Sequence, residues 1–465
     1  MSSLAEQVRH DSASLYQFVC SISDLCERRN PAAAYLSSSE RFFQYLVELG
    51  AATKTYIQKF PGTRTQATEY LDLRNEIAVL RAGWQFLHAL VKPALDSDTL
   101  HLPSALLEGL ISRFRAIPKY VDTDFVIYHT DEFNYLNVRL NVFRKNADLI
   151  AGLVGGPPFP EKLALVGIPY SQSSSLFMNC LIPHEMGHHV FGDSSLGSKL
   201  RPTIEQELLK SLGAQLSAVE RIAVTDMLVR WSEELFCDLF AVRLVGFCYS
   251  LAFIELFDTA KSLDENGNLS ADRSLGMTEF DEYPPDLFRI KQQVAILAKD
   301  KWWPDLVKVD SHYIRLLEAA QKMKDTDFGF STGTAVDPTK VTAAFFTVVP
   351  QVLSELDSIT VGLESGFEGW KKTCPAIEEY LESGVVPSSL LEKPEADLKF
   401  AYPDPVALLN SSYKFYVESL DRLLGQIKDA DVNAIGTRSE WAVKVQMWTA
   451  KAIEDVILLK RKGTP

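Results

Sequence analysis

Apolar positions recur every three or four residues along much of the chain, with polar positions between them. Arg41–Leu49 and Leu73–Leu90 carry this spacing, and Pro61-Gly62 and Pro93 interrupt it. The pattern predicts helices up to about residue 118. From about 119 the texture changes. Phe125–Tyr128, Tyr135–Leu140 and Leu163–Ile168 are short β-prone runs, set apart by the polar Thr130–Phe133 and by Gly155-Gly156-Pro157-Pro158. A small sheet is expected there. After Ser171–Ser175 the helical spacing returns to about Ala260, and a polar segment then leads to Pro284-Pro285. The remainder reads as helix broken by loops at 325–338 and 383–395, and no internal repeat stands out. The expected fold is predominantly α (α+β). It comprises a helical region 1–118, a central region 119–300 with the sheet, and a helical region 301–465.

A chain of 465 residues exceeds what one compact core organises, so more than one domain is expected. The apolar fraction of 46% and charged fraction of 23% are ordinary for a globular protein. A net charge of −14 argues against broad binding to nucleic acid or to anionic lipid. The longest apolar run, Leu244–Ile254, is about half of the roughly 20 residues that a membrane span requires, and reads as a buried helix. The first residues lack the apolar core of a signal peptide. The six cysteines, Cys20, Cys26, Cys180, Cys237, Cys248 and Cys374, contain no CxxC pair and suggest no disulfide framework. These features lead to an expected cytoplasmic location, without nucleic-acid or membrane partners.

The chemistry lies in His184-Glu185-Met186-Gly187-His188, an HExxH pattern. Residues i and i+4 stand above one another on a helix, so two imidazoles can reach one metal ion. Glu185 is turned by about 100° around the helix, beside the ion, where it can take a proton from a bound water. Pro183 either starts or kinks this helix, and Gly187 removes bulk where close packing is needed. His189 points away from His188 and is read as a supporting or core residue.

A second element strengthens the first. Trp231-Ser232-Glu233-Glu234-Leu235-Phe236-Cys237-Asp238 places Glu234 and Asp238 on one helical face with Met227, Trp231, Ala241 and Val245. Two carboxylates in an apolar stripe are costly to bury without a cation or strong hydrogen bonds. A metal ion would meet the first need, and the N–H of a ligating histidine the second. Arginines such as Arg230 or Arg243 would be another way to offset them. Glu233 rivals Glu234 as third ligand, but has Cys237 rather than a carboxylate four residues on, so Glu234 is preferred. Cys237 itself reads as a small core residue.

His184-Glu185-x-x-His188 with Glu234-x-x-x-Asp238 resembles the gluzincin branch of the zincin metallopeptidases, over about 70 of the 465 residues. The resemblance implies a zincin-like catalytic core and one zinc ion held by His184, His188 and Glu234, with Asp238 orienting a histidine. It also implies peptide-bond hydrolysis with Glu185 as general base, acting on a peptide or protein substrate. Zincins usually offer a sheet edge to an extended substrate just before the HExxH helix, a position that Leu163–Ile168 would fill. Tyr283-Pro284-Pro285 with Arg289 is similar to a His-Pro-Pro…Arg element downstream of some gluzincin-like sites, with tyrosine in place of histidine. Tyr283, His312, Tyr313 and Tyr170 are candidate donors to the developing oxyanion, Tyr283 being the one carried forward. The helical flanks offer surfaces for a regulatory protein partner. Two other readings stay open: a helical interaction scaffold with a structural or inactive zinc site, and a hydrolase of non-peptide amides. Ser262–Arg273 has only a superficial likeness to a calcium loop, since Ser262 and Arg273 stand where carboxylates are needed.

Overall fold

The computed structural model describes residues 2–27, 40–59, 67–96, 104–130, 136–137, 140–160, 162–169, 175–257, 283–309, 311–324, 338–363, 366–388, 404–426 and 432–461. The chain divides into two compact units: Met1–Ser104 with Tyr120–Ser174, and Ala105–Lys119 with Ser175–Pro465. The chain passes between the units after Ser104, Lys119 and Ser174, the second of these next to the expected boundary at 118 and none of them near the expected one at 300. The candidate calcium loop and Tyr170 lie outside the described residues.

The first unit packs helices α1 (Ser2–Glu27), α2 (Glu40–Gln58) and α3 (Ala67–Asp96) on one another and on a small sheet. Leu73, Ile77, Leu80, Trp84 and Leu87 of α3 form one apolar stripe and all are buried. The Trp84 indole N–H donates to the Thr53 hydroxyl at 3.2 Å, so its polar atom is matched inside the core. The sheet has the order β1 (Asp124–Thr130), β3 (Leu163–Pro169), β2 (Leu136–Asn137). Strand β3 runs parallel to β1 from Asp124↔Leu163 to Thr130↔Pro169, and antiparallel to β2 at Leu136↔Gly167. It is the central strand and is buried throughout, so the expected free edge at Leu163–Ile168 is corrected. The β-prone run Tyr135–Leu140 yields only the short β2, and at Leu140 the chain enters helix α5 (Leu140–Val154). Burial of Phe143, Ala147, Ile150 and Ala151 at helical spacing explains the change.

In the second unit, α4 (Ser104–Arg115) joins α6 (Ile182–Ser194), α7 (Leu196–Leu212), α8 (Ala218–Val245) and α9 (Phe247–Phe257). The helices α10 (Asp286–Lys299), α11 (Trp303–Leu306), α12 (His312–Lys322), α13 (Pro338–Ile359), α14 (Phe367–Glu382), α15 (Pro405–Gln426) and α16 (Val432–Arg461) complete it. Its axis is α8, which packs against α6, α7, α9, α10 and α13. A capping box starts α8: the Ser217 hydroxyl accepts from the Glu220 N–H and the Glu220 carboxylate accepts from the Ser217 N–H. From Leu235 to Val245 nearly every side chain is buried on all sides, as in a central core helix. The absence of a boundary near residue 300 follows: α13 packs on α7 and α8, and α15 packs on α9.

The apolar run Leu244–Ile254 is buried as expected, but it is not one helix. Gly246 breaks it at φ +76° and ψ −152°, a conformation that favours glycine, and α9 begins at the next residue. Buried Asn410 of α15 bridges the break. Its side-chain carbonyl accepts from the Cys248 N–H at 3.0 Å, and its amide donates to the Val245 carbonyl at 2.7 Å. No described helix is long and apolar enough to cross a membrane.

Asn410→Ala removes both of these bridging hydrogen bonds. It is expected to lower stability by about 1–3 kcal/mol in urea melts of the full chain, and an unchanged midpoint would contradict this account of the break.

Candidate metal centre

The HExxH segment is helical, and Pro183 lies in its first turn, so it starts α6 rather than kinking it. Gly187 is where α6 meets α8. A Cβ at this position would stand 2.8 Å from the Cys237 Cα and 3.1 Å from its Cβ, closer than packed carbon atoms tolerate. The missing side chain therefore brings the two helices together with one helical turn of α6, His184 to His188, facing one turn of α8, Glu234 to Asp238.

At this separation the side chains interlock. His184 Nδ1 lies 2.9 Å from Asp238 Oδ1, and His188 Nδ1 lies 2.8 Å from Glu233 Oε1. Each imidazole thus has its Nδ1 occupied by a carboxylate of α8 and its Nε2 turned away from that carboxylate. The Nε2 atoms meet Glu234, at 3.3 Å from Oε2 for His184 and 3.7 Å from Oε1 for His188. Two ligands each about 2.0–2.1 Å from one tetrahedral ion sit about 3.3 Å apart, a spacing that the His184–Glu234 Oε2 contact matches, while His188 meets the other carboxylate oxygen.

His184, His188 and Cys237 also form a group whose ligand atoms all lie within 4.8 Å of one another, and this group can hold a metal ion. A metal ion held by the two imidazoles would take its third donor from Glu234 or from Cys237. A cysteine binds as thiolate. Burial, and then the carboxylates of Glu233, Glu234, Glu185 and Asp238, push the Cys237 thiol well above its usual range. Glu234 is the reverse case: burial opposes its charge, but the hydrogen bond to His184 and the nearby imidazoles and Arg289 bring its pKa down.

Asp238 is fully buried and held from three sides. The Arg289 Nε donates to Oδ2 at 2.6 Å and Nη2 donates to Oδ1 at 2.8 Å, while the Tyr249 hydroxyl also donates to Oδ1. Burial would raise the Asp238 pKa, but the Arg289 charge and the hydrogen bond to His184 hold it far below the carboxylate range. The arginine that offsets these acids is therefore Arg289 of α10, not Arg230 or Arg243. Arg243 is engaged elsewhere, with Asp300 at 2.5 Å and Asp357 at 2.8 Å. Arg289 Nη2 also reaches Glu234 Oε2 at 3.4 Å, and its guanidinium lies 4.7 Å from the Phe253 ring and 5.7 Å from the Tyr283 ring.

Glu185 is buried beside the imidazoles, 5% exposed, and burial raises its pKa despite the pull of His188 and His184. Tyr283 is exposed at the rim, before Pro284-Pro285 and α10. Tyr313 is buried at the start of α12 beside His312. His189 is half-buried near the Phe114 ring, and burial lowers its pKa. Two contributors take roles that the sequence did not signal. Tyr249 reaches Asp238 only because the chain breaks at Gly246, and Glu233 turns to His188 only because α6 lies alongside.

Four carboxylates, Glu185, Glu233, Glu234 and Asp238, thus gather around two imidazoles and one guanidinium. The surplus negative charge draws protons in place of a cation. Burial disfavours a charged His184, but hydrogen bonds to Asp238 and Glu234 outweigh it and push the pKa up to about 10. A donor set with this charge, and with both Nε2 atoms facing Glu234, fits a divalent ion. Comparison with family models, with curated proteins and with solved structures finds no match to the chain.

A raised histidine pKa stabilises the fold fully below the unfolded value, and that contribution is lost as pH rises through the folded one. Chelator-treated protein is therefore expected to lose melting temperature between pH 6.5 and about 10, the window set by His184. Saturation with a divalent metal should flatten this slope, because the ion replaces the protons. Identical pH profiles with and without metal would contradict the charge balance described.

Proposed function

We propose that this chain is a zinc-dependent hydrolase whose substrates are peptide bonds. The observation that carries the reading is that His184 and His188 both turn Nε2 to the Glu234 carboxylate, at 3.3 and 3.7 Å, with Glu185 buried beside them. Zinc in this place would polarise a carbonyl and lower the pKa of a water it holds to about 7. The donor set of two imidazoles and one carboxylate suits zinc and leaves one position open to substrate or water. An alternative donor set with Cys237 would also suit zinc, so the choice of ion does not hang on the third ligand.

The residues of the chain do the proton work. Glu185 accepts a proton from the attacking water and returns it to the leaving amine. Burial raises its pKa, which makes it a stronger proton acceptor than an exposed carboxylate. Asp238, held by Arg289 and Tyr249, keeps the His184 ring in the tautomer that leaves Nε2 free. Tyr283 is the proposed donor to the developing oxyanion. It is 40% exposed and its ring lies beside Arg289. The metal-side donors are only 11–18% exposed, which suits an extended segment threading in rather than a folded surface. The six cysteines are free, consistent with action in a reducing compartment, most simply the cytoplasm.

The decisive experiment combines metal analysis with hydrolysis of a peptide library and of small amides. Glu185→Gln is expected to retain zinc and lose about 100- to 10,000-fold in kcat, and full activity would refute its role. Tyr283→Phe is expected to lower kcat about 100-fold at unchanged zinc affinity, and an unchanged kcat would remove it from the mechanism. Zinc bound tightly with no substrate cleaved would favour the interaction scaffold. Cleavage of small amides alone would favour the non-peptide hydrolase.

A further inference from the structure

We propose that Glu233 is the positioning residue for His188: its carboxylate accepts the Nδ1 proton, fixes the tautomer, and aims Nε2 at the ion shared with His184 and Glu234. The inference rests on the metal-centre reading above. It assigns a task to a glutamate that the paired motif leaves without one.

An imidazole that binds an ion through Nε2 must carry its proton on Nδ1, and an acceptor at Nδ1 both selects this tautomer and orients the ring. For His184 this acceptor is Asp238 at 2.9 Å, and for His188 it is Glu233 at 2.8 Å. Glu233 cannot ligate the same ion in this arrangement, because it lies on the Nδ1 side of a ring whose Nε2 side is taken by Glu234. The consecutive glutamates thus diverge by about 100° around α8, one in front of the imidazoles and one behind.

A purely structural role explains Glu233 less well. Among the described residues, His188 is its only hydrogen-bond or ion-pair partner. One turn further along α8 its neighbour is Cys237, not a cation. The two supporting carboxylates also differ in what holds them. Asp238 is fully buried and gripped by Arg289 and Tyr249, so its removal would strand a buried guanidinium. Glu233 is 32% exposed and bonded only to the imidazole. Its removal should therefore loosen the metal and leave the fold intact.

The test uses the full chain and zinc itself. Zinc affinity is measured by competition with a chromophoric chelator, and cobalt is substituted to read the ligand field through its visible bands. Glu233→Ala is expected to weaken zinc binding about 10- to 100-fold and to shift the cobalt bands. The isosteric Glu233→Gln keeps an acceptor oxygen without the charge, and is expected to recover part of that loss. The metal-free variants should melt at the wild-type temperature. Zinc affinity of both variants within twofold of wild type, with zinc lost in His188→Ala, would overturn this proposal alone. A wild-type chain that binds no divalent ion would overturn the metal-centre reading and this proposal together.

Discussion

Helices α6 and α8 approach so closely at Gly187 and Cys237 that a methyl group between them would collide with the α8 backbone. The remainder of the centre depends on this contact. Hydrogen bonds of 2.8 and 2.9 Å between imidazole and carboxylate span two helices, and they form only if the axes are held at this distance. Once formed, they leave both Nε2 atoms facing a third carboxylate. The close approach therefore converts two short sequence patterns into one cluster of donors.

The same contact concentrates charge where the protein is least able to solvate it. Four carboxylates share a largely apolar environment with a single nearby arginine, and the imidazoles respond by binding protons more tightly. Such a cluster is unfavourable without compensating positive charge, which protons on the imidazoles and Arg289 supply here and a cation could supply instead. Arg289 offsets part of the surplus, and its position on α10 ties a third helix to the site. Tyr249 on α9 ties in a fourth. The helices around α8 hold these parts in place, and α13 and α15 brace α7, α8 and α9 in turn.

Much of this was legible in the sequence because it depends on periodicity within one helix. The i, i+4 spacing of His184 and His188, the offset of Glu185, the shared face of Glu234 and Asp238, and the need for a close approach at Gly187 are all local geometry. The stripe from Leu73 to Leu87 is equally local. Misreadings arose where two periods overlap or where a partner lies far away in the chain. Tyr135–Leu140 is β-prone in composition, but its end is taken up by α5, whose buried face only the first-unit core defines. Leu244–Ile254 is uniformly apolar, and uniform apolarity says nothing about the break at Gly246.

Taken alone, the sequence determined that the chain is mainly helical with a small sheet, and it singled out two histidines and the acids of α8 as candidate metal donors. Those conclusions follow from side-chain directions that repeat along a single helix. The tertiary structure decided that Leu163–Ile168 lies inside its sheet rather than at an edge. It also decided that Arg289 rather than Arg230 or Arg243 balances Asp238, and that Glu233 stands behind His188. Strand order and cross-helix pairing depend on distances between segments remote in sequence, and these are set by how cores close, not by the pattern within any one element.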